Sequence, residues 1–301
     1  MKRRKFRWSK FQLNKLNRVL AVLERFKEYK PLTLRQIFYQ LISENRIRNV
    51  KSEYTMLSGL CKWGRISGHI PWPDIEDRTR AFYDLSGWKS KGDFIERSLD
   101  SFLTGYRRDL LQSQDKFIEI CVEKDALSSI FTRAAGPYGV SVLPAKGFNS
   151  VSALNEYRDR VKHWGAGKKP VLLYFGDFDP SGMAMLEAMQ TTLKDEMDLP
   201  GVEYKRVALL EKDIADYNLP YDPDAIKKKD SRTKEFVKKY GPKAVELDAL
   251  PPDVLTDRIK KAIEAELDMG AFDKEVEKHL EELKSLDGLI GKTRAFVEGE
   301  I

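Results

Sequence analysis

Two aspartates, Asp177 and Asp179, follow the apolar run VLLYF and stand two residues apart in the stretch GDFDPSGM. In an extended backbone that spacing turns both carboxylates to the same side. Another acid, Glu123, ends an earlier apolar stretch, KFIEICV, and is followed at once by Lys124 and Asp125. If the two stretches are strands of one parallel sheet, three carboxylates meet at its carboxyl edge, where open α/β sheets keep their working residues. Hard oxygen donors in that number, with no histidine or cysteine nearby, suit Mg²⁺, or Mn²⁺ in its place, which keeps waters at about 2.0–2.1 Å and engages substrate phosphates. The same residues have a plainer reading. Pro180 and Gly182 complete a turn, the acids serve as helix N-caps or an exchangeable surface cluster, and Lys124 supplies neutralising pairs.

The elements that must hold these acids follow a repeating pattern. KFIEICV, VSVLPA, KPVLLYFGD and EYKRVALL read as strands, and the segments DALSSIFTRAAG, SALNEYRDRVKHWG and MAMLEAMQTTLKDEM between them read as helices. Strands separated by helices of this length predict a parallel α/β sheet. The first third of the chain is different. Helical spacing of Phe11, Leu16, Leu20, Leu23 and Phe26 predicts a helix from Ser9 to about Tyr29, ended by Pro31. Thr33 is a candidate N-cap for a second helix, LRQIFYQLISE, and residues 52–63 predict a third. The stretch GRISGHIPWPDIEDRTR, with two glycines and two prolines, then suggests a hairpin, so the order is that of a winged helix. The expected organisation is a basic arm and winged-helix domain over 1–88, a connecting helix over 89–113, and an α/β domain with a helical C-terminal extension over 114–301. An acidic stretch from Glu264 to Glu282 reads as a solvated or subunit-packing face.

Charge divides the chain along the same line. Residues 1–112 hold 24 lysines and arginines against 12 acids, whereas 113–301 hold 29 against 35. Arg3, Arg4, Lys5, Arg7 and Lys10 lead the first helix, and Lys62, Arg65 and, in the second half, Lys146 add to the candidate set that could hold phosphate backbones and release their counterions. The expected partner is double-stranded DNA. Two cysteines, Cys61 and Cys121, lie in apolar-periodic stretches and predict no disulfide framework, and three scattered histidines predict no zinc site. No run approaches the roughly 20 apolar residues of a membrane span, and no apolar signal core follows MKRRKFRWSK. The expectation is a cytoplasmic protein associated with the nucleoid, without membrane contact.

VEKDAL at 122–127 together with GDFDPSG at 176–182 resembles the Toprim domain, the Mg²⁺-binding module of topoisomerases, primases and OLD-type nucleases. The form DxDPxG is most similar to the A subunit of type IIB topoisomerase (topoisomerase VI) and the related meiotic double-strand-break transesterase, and the short chain looks like a minimal stand-alone version. The resemblance implies a CAP-like winged helix followed by a Toprim sheet, with Glu123, Asp177 and Asp179 as metal acids and Lys146–Gly147 in PAKGF as a loose counterpart of a GKG-like element. LRQIFY, residues 34–39, resembles the family motif LREIYY and so makes Tyr39 the nucleophile, with Phe38 in place of its first aromatic. It also implies a homodimer in which the tyrosine of one protomer meets the metal of the other, and a separate ATPase B-type subunit. This chain has no GxxxxGK[ST] loop of its own.

An ideal helical wheel for the second helix centres its apolar stripe near 10°, with Tyr39 at about 140° and Arg35 at about 100°. Tyrosine and arginine are therefore expected side by side at the exposed polar edge. There Tyr39 would attack a phosphodiester, forming a 5′-phosphotyrosyl link and releasing a 3′-OH. A phenol of pKa about 10 is a poor nucleophile at neutral pH, so Arg35, Arg78 or the metal would have to favour the phenolate. A Toprim nuclease using water, and a dimeric DNA-binding protein with little cleavage, remain as alternatives.

Overall fold

Residues 7–76, 86–102, 105–145, 151–221, 226 and 231–300 are described by a computed structural model of the chain. Helix α1 (Lys10–Arg25) starts where a capping box satisfies its first turn: Ser9 Oγ accepts from the Gln12 amide at 3.2 Å, and Gln12 Oε1 accepts from the Ser9 amide at 3.1 Å. Its buried stripe is Leu16, Val19, Val22 and Leu23, while Phe11, expected on that stripe, is 69% exposed. Strand β1 (Leu32–Thr33) runs straight into α2 (Leu34–Ser43), and Thr33 is its N-cap as expected, in a second capping box with Gln36. Helix α3 (Lys51–Ile66) outlasts the expected 52–63. Gly64 does not end it; a Cβ there would lie 2.8 Å from Ile70, so the glycine marks close packing.

A short 3₁₀ turn at Trp72–Asp74 leads to β2 (Ile75–Glu76), which pairs with β1 in parallel, Leu32 opposite Ile75. No hairpin is found here among the described residues, and the rest of the expected wing, 77–85 with Arg78, lies outside them. Helix α4 (Lys91–Ser101) is shorter than the connecting helix expected to about Gln112. It ends at Phe102, whose backbone is extended, and 105–114 continues as turns held by ion pairs to the C-terminal helix.

Strands β3 (Lys116–Val122), β4 (Ser141–Pro144), β5 (Lys169–Phe175) and β6 (Glu203–Ala208) form one parallel sheet in the order β4-β3-β5-β6. The α/β expectation is met. Helix α5 (Ser128–Ala135) joins β3 to β4, α6 (Val151–His163) joins β4 to β5, and α7 (Pro180–Thr191) with a π turn to Glu196 joins β5 to β6. Helices α8 (Glu211–Asp216), α9 (Ser231–Tyr240), α10 (Pro252–Glu264) and α11 (Met269–Glu300) follow.

Strand alternation sends side chains to two cores, which is why these strands read as almost continuous apolar runs. Ile118, Ile120, Val122, Val171, Leu173 and Phe175 join a cluster with α5, α10 and the N-terminal helices. Cys121, Leu172 and Tyr174 pack on the other face with α6 and α7. Glu119, a buried acid inside β3, is matched by Arg160, whose Nε donates to it at 2.6 Å. Both cysteines are buried and free, their thiols pushed up to about 12 by burial. The acidic C-terminal stretch is not simply a solvated face: Glu266 pairs with Lys116 at 2.8 Å and Glu275 with Arg108 at 2.7 Å. Among the described residues no helix is long and apolar enough to cross a membrane.

Candidate active site

Register brings the two acidic motifs together. Val122 pairs with Phe175, and the Glu123 amide donates to the Phe175 carbonyl at 2.9 Å, so Glu123 and the Gly176–Asp177 turn leave neighbouring strand ends. Glu123 then lies over that turn: its Oε2 accepts from the Asp177 amide at 2.9 Å and from the Tyr174 hydroxyl at 3.3 Å. Glycine is required for this. A Cβ on Gly176 would sit 2.6 Å from Glu123 Oε2, and one on Gly182 would overlap the Asp177 carbonyl. Asp179 is the N-cap of α7, accepting from the Gly182 amide at 2.6 Å, with Pro180 at the first helical position.

Arg206 of β6 fixes the turn from the neighbouring strand. Its guanidinium donates to the carbonyls of Asp177 at 2.5 Å, Leu209 at 3.0 Å, Gly182 at 3.1 Å and Gly176 at 3.3 Å. Four acceptors on one planar donor leave the loop little freedom.

Asp177 is held differently from its two companions. Its Oδ1 accepts from the Leu247 amide at 2.8 Å, and its Oδ2 lies 3.1 Å from Lys124 Nζ. The same ammonium lies 3.0 Å from Glu246 and 3.0 Å from Asp248. Glu246 is also paired with Arg35 and accepts a hydrogen bond from the Tyr39 hydroxyl, and Thr33 Oγ1 donates to Asp248 at 3.3 Å. One network thus runs from Tyr39 through Glu246 and Lys124 to Asp177. Glu246 and Asp248 were not expected; their one signal is the E-L-D spacing, the same two-residue interval as Asp177 and Asp179.

Electrostatics divides the cluster. Burial opposes the charge on Lys124, but Asp248, Asp177 and Glu246 hold its ammonium well above the usual lysine range. Burial also works against Glu246, yet Lys124 and Arg35 outweigh it and hold that carboxyl below its ordinary value. Asp177 is pushed up to about 7, chiefly by burial, with Lys124 pulling down and Glu123 pushing further up. Three acids share one ammonium, so the lysine's charge is secure, while Asp177 is raised where Glu246 is lowered. Glu123 is raised by burial, against the hydrogen bond from the Asp177 amide, and by the charge of Asp179.

No family model, curated protein or solved structure matches this chain.

Among the described residues, no group of three or more His, Cys, Asp or Glu side chains is set to hold a metal ion as it stands. The donor set nonetheless fits a hard divalent cation. It is all oxygen, the charge of Asp179 helps to raise Glu123, the charge of Glu123 helps to raise Asp177, and neither Glu123 nor Asp179 forms an ion pair among the described residues. A bound cation would relieve that repulsion.

Tyr39 departs most from expectation. It is not at an exposed edge but 2% exposed, because α2 packs on both sides, against α1 and against the turn at Leu247–Ala249. A wheel with a single buried stripe cannot represent a helix between two layers. Arg35 is where it was expected, one turn before Tyr39, and both meet at Glu246. Of the basic set, Arg7 and Lys10 are exposed at the start of α1, and Lys62 and Arg65 line a cavity beside Glu123. Arg3, Arg4, Lys5, Arg78 and Lys146 lie outside the described residues.

Proposed function

We propose that this chain is a Mg²⁺-dependent DNA-cleaving transesterase of the type IIB topoisomerase A-subunit kind, with a winged-helix N-terminal part and a Toprim α/β part, acting on duplex DNA as a homodimer. Mn²⁺ substitutes for Mg²⁺, and strand passage needs a separate ATPase B-type subunit. One observation carries the reading. Tyr39 and Asp177, 138 residues apart, belong to one hydrogen-bonded and ion-paired network at the carboxyl edge of the sheet, adjacent to Glu123 and Asp179.

Each residue has a role by its position. Tyr39 Oη attacks the phosphorus, the bond from phosphorus to O3′ breaks, and the strand leaves as a 3′-OH while its 5′ side stays on the tyrosine. Glu246, already accepting the hydrogen bond of the Tyr39 hydroxyl, orients it; Arg35 lies beside both and favours the phenolate. Glu123, Asp179 and Asp177 would hold the divalent cation, which when bound supplies positive charge against the phosphate. Arg206 keeps their loop in place, and Arg7 and Lys10 meet the DNA backbone.

The burial of Tyr39 favours a second reading, a Toprim nuclease in which water is the nucleophile and the tyrosine only orders Glu246. Supercoiled DNA incubated with Mg²⁺ or Mn²⁺ and stopped with detergent separates the two. The first reading expects cleavage with covalent protein-DNA adducts, both lost in Tyr39→Phe while DNA binding persists. Cleavage without adducts, surviving in Tyr39→Phe, assigns the nuclease. Wild type that binds DNA and never cuts it overturns both.

A further inference from the structure

Beside the acids, a cavity of about 990 Å³ lies between α3 and the carboxyl edge of the sheet. Glu123 and Lys124 contribute from the sheet; Tyr54, Lys62 and Arg65 contribute from α3, and Trp72 from the turn after it. Its size is at the top of the range of about 300–1,000 Å³ typical of sites for small molecules. That is room for a nucleotide, not for a turn of double helix.

The lining chemistry is that of a stacking platform. Trp72 is 61% exposed, far more than a core tryptophan, yet it is held in place: the Arg65 guanidinium lies 4.5 Å over its ring and donates to its carbonyl at 2.9 Å. Tyr54 is a second aromatic on the same cavity. Lys62 and Arg65, one turn apart on α3, form no ion pair among the described residues, and the Nε of Arg65 is buried without a hydrogen-bond partner among them. Lys124, by contrast, is committed to three acids. Two cations without ion pairs, one of them with an unsatisfied nitrogen, beside exposed aromatic surface suit a phosphate and a base together. In an intact duplex the bases stack on each other and offer only their edges, so a base reaches an aromatic face only when it is unpaired.

We propose that this cavity binds one unpaired nucleotide of a DNA strand, its base against Trp72 and its phosphate between Lys62 and Arg65, next to Glu123. The choice of DNA rests on the cleavage reading above; the binding itself needs neither the metal nor Tyr39, so the two fail separately.

The test is fluorescence anisotropy in EDTA with a short labelled single strand and the blunt duplex of the same sequence. The single strand is expected to bind about tenfold more tightly. Trp72→Ala should weaken single-strand binding by about five- to hundredfold, the range for losing one base-aromatic stack, while Trp72→Phe restores most of it and duplex binding moves less than about twofold. Lys62→Ala should lower the salt slope for the single strand by roughly 0.7, the loss of one phosphate contact. Trp72 and Lys62 are on the surface, and circular dichroism confirms that the variants fold. The proposal is overturned if the duplex binds as tightly as the single strand, if Trp72→Ala leaves single-strand binding unchanged, or if the single strand does not bind at low salt. Because EDTA removes any metal, a wild type that fails to cleave leaves this result standing, and single-strand binding does not rescue the cleavage reading.

Discussion

The acids at the edge of the sheet fall into two groups a few ångströms apart, and they are treated differently. Asp177, Glu246 and Asp248 surround Lys124 at 3.0–3.1 Å, so this side carries its own counter-ion. Glu123 and Asp179 have backbone donors, the Asp177 and Gly182 amides, and no ion pair among the described residues, with Lys124 acting on Glu123 only as a neighbouring charge. A covered acid cluster with a built-in cation depends on that cation, and removing it leaves uncompensated charge. Glu123, outside those ion pairs, is raised by burial and by the charge of Asp179, and it gains from whatever positive charge arrives. The difference sets Glu246 and Asp248, held by Lys124, apart from Glu123 and Asp179, and Asp177 stands between them, paired with Lys124 yet pushed up to about 7.

Removing Lys124 tests that division most severely. Lys124→Met should destabilise the protein by about 3–5 kcal/mol in urea unfolding, because three acids lose their shared ammonium at a position where the lysine side chain is 22% exposed. A change below about 1 kcal/mol would mean that the three acids are not organised around it. Arg206→Ala should follow at about 3 kcal/mol, since four carbonyls lose one donor.

Paired substitutions then compare the two groups directly. Asp248→Asn, on the Lys124 side, should cost about 1–2 kcal/mol, whereas Glu123→Gln, which keeps an oxygen for the Asp177 amide and removes a charge, should leave metal-free stability within about 0.5 kcal/mol or raise it. Equal losses would erase the distinction. Asp179→Ala should cost about 1 kcal/mol through the lost cap of α7, and Asp179→Asn should recover it by thermal melting while still lacking the charge. The smallest effect belongs outside both groups: Arg97→Ala, removing an exposed pair with Asp93 on α4, should change stability by less than about 0.5 kcal/mol.

Much of this site was legible from residue spacing. The apolar runs before Glu123 and Asp177 fixed two parallel strands because both faces of such strands are covered, and the register then made their ends neighbours. Thr33 was legible as a cap because its partner Gln36 is three residues on. Tyr39 was misplaced because its second packing partner, the turn at 247–249, is distant in sequence and has no periodic pattern. Glu246 and Asp248 come from that same irregular segment, tied to the site by the bridge between Phe178 and Val245 with amides donating at 2.9 and 3.0 Å. Arg206 was invisible for another reason: a strand arginine whose donors all reach backbone carbonyls leaves no partner residue type to look for.

The central proposal is that Glu123 and Asp179, which have no ion pair among the described residues, take a divalent cation together with Asp177. Titrating Mn²⁺ into the protein, with free Mn²⁺ followed by electron paramagnetic resonance, tests it most directly. Wild type should bind Mn²⁺ with competition by Mg²⁺, Glu123→Gln and Asp179→Asn should each weaken binding at least tenfold, and Asp248→Asn should leave it within about twofold. No binding by wild type, or binding that is lost in Asp248→Asn and retained in Glu123→Gln, would contradict the account.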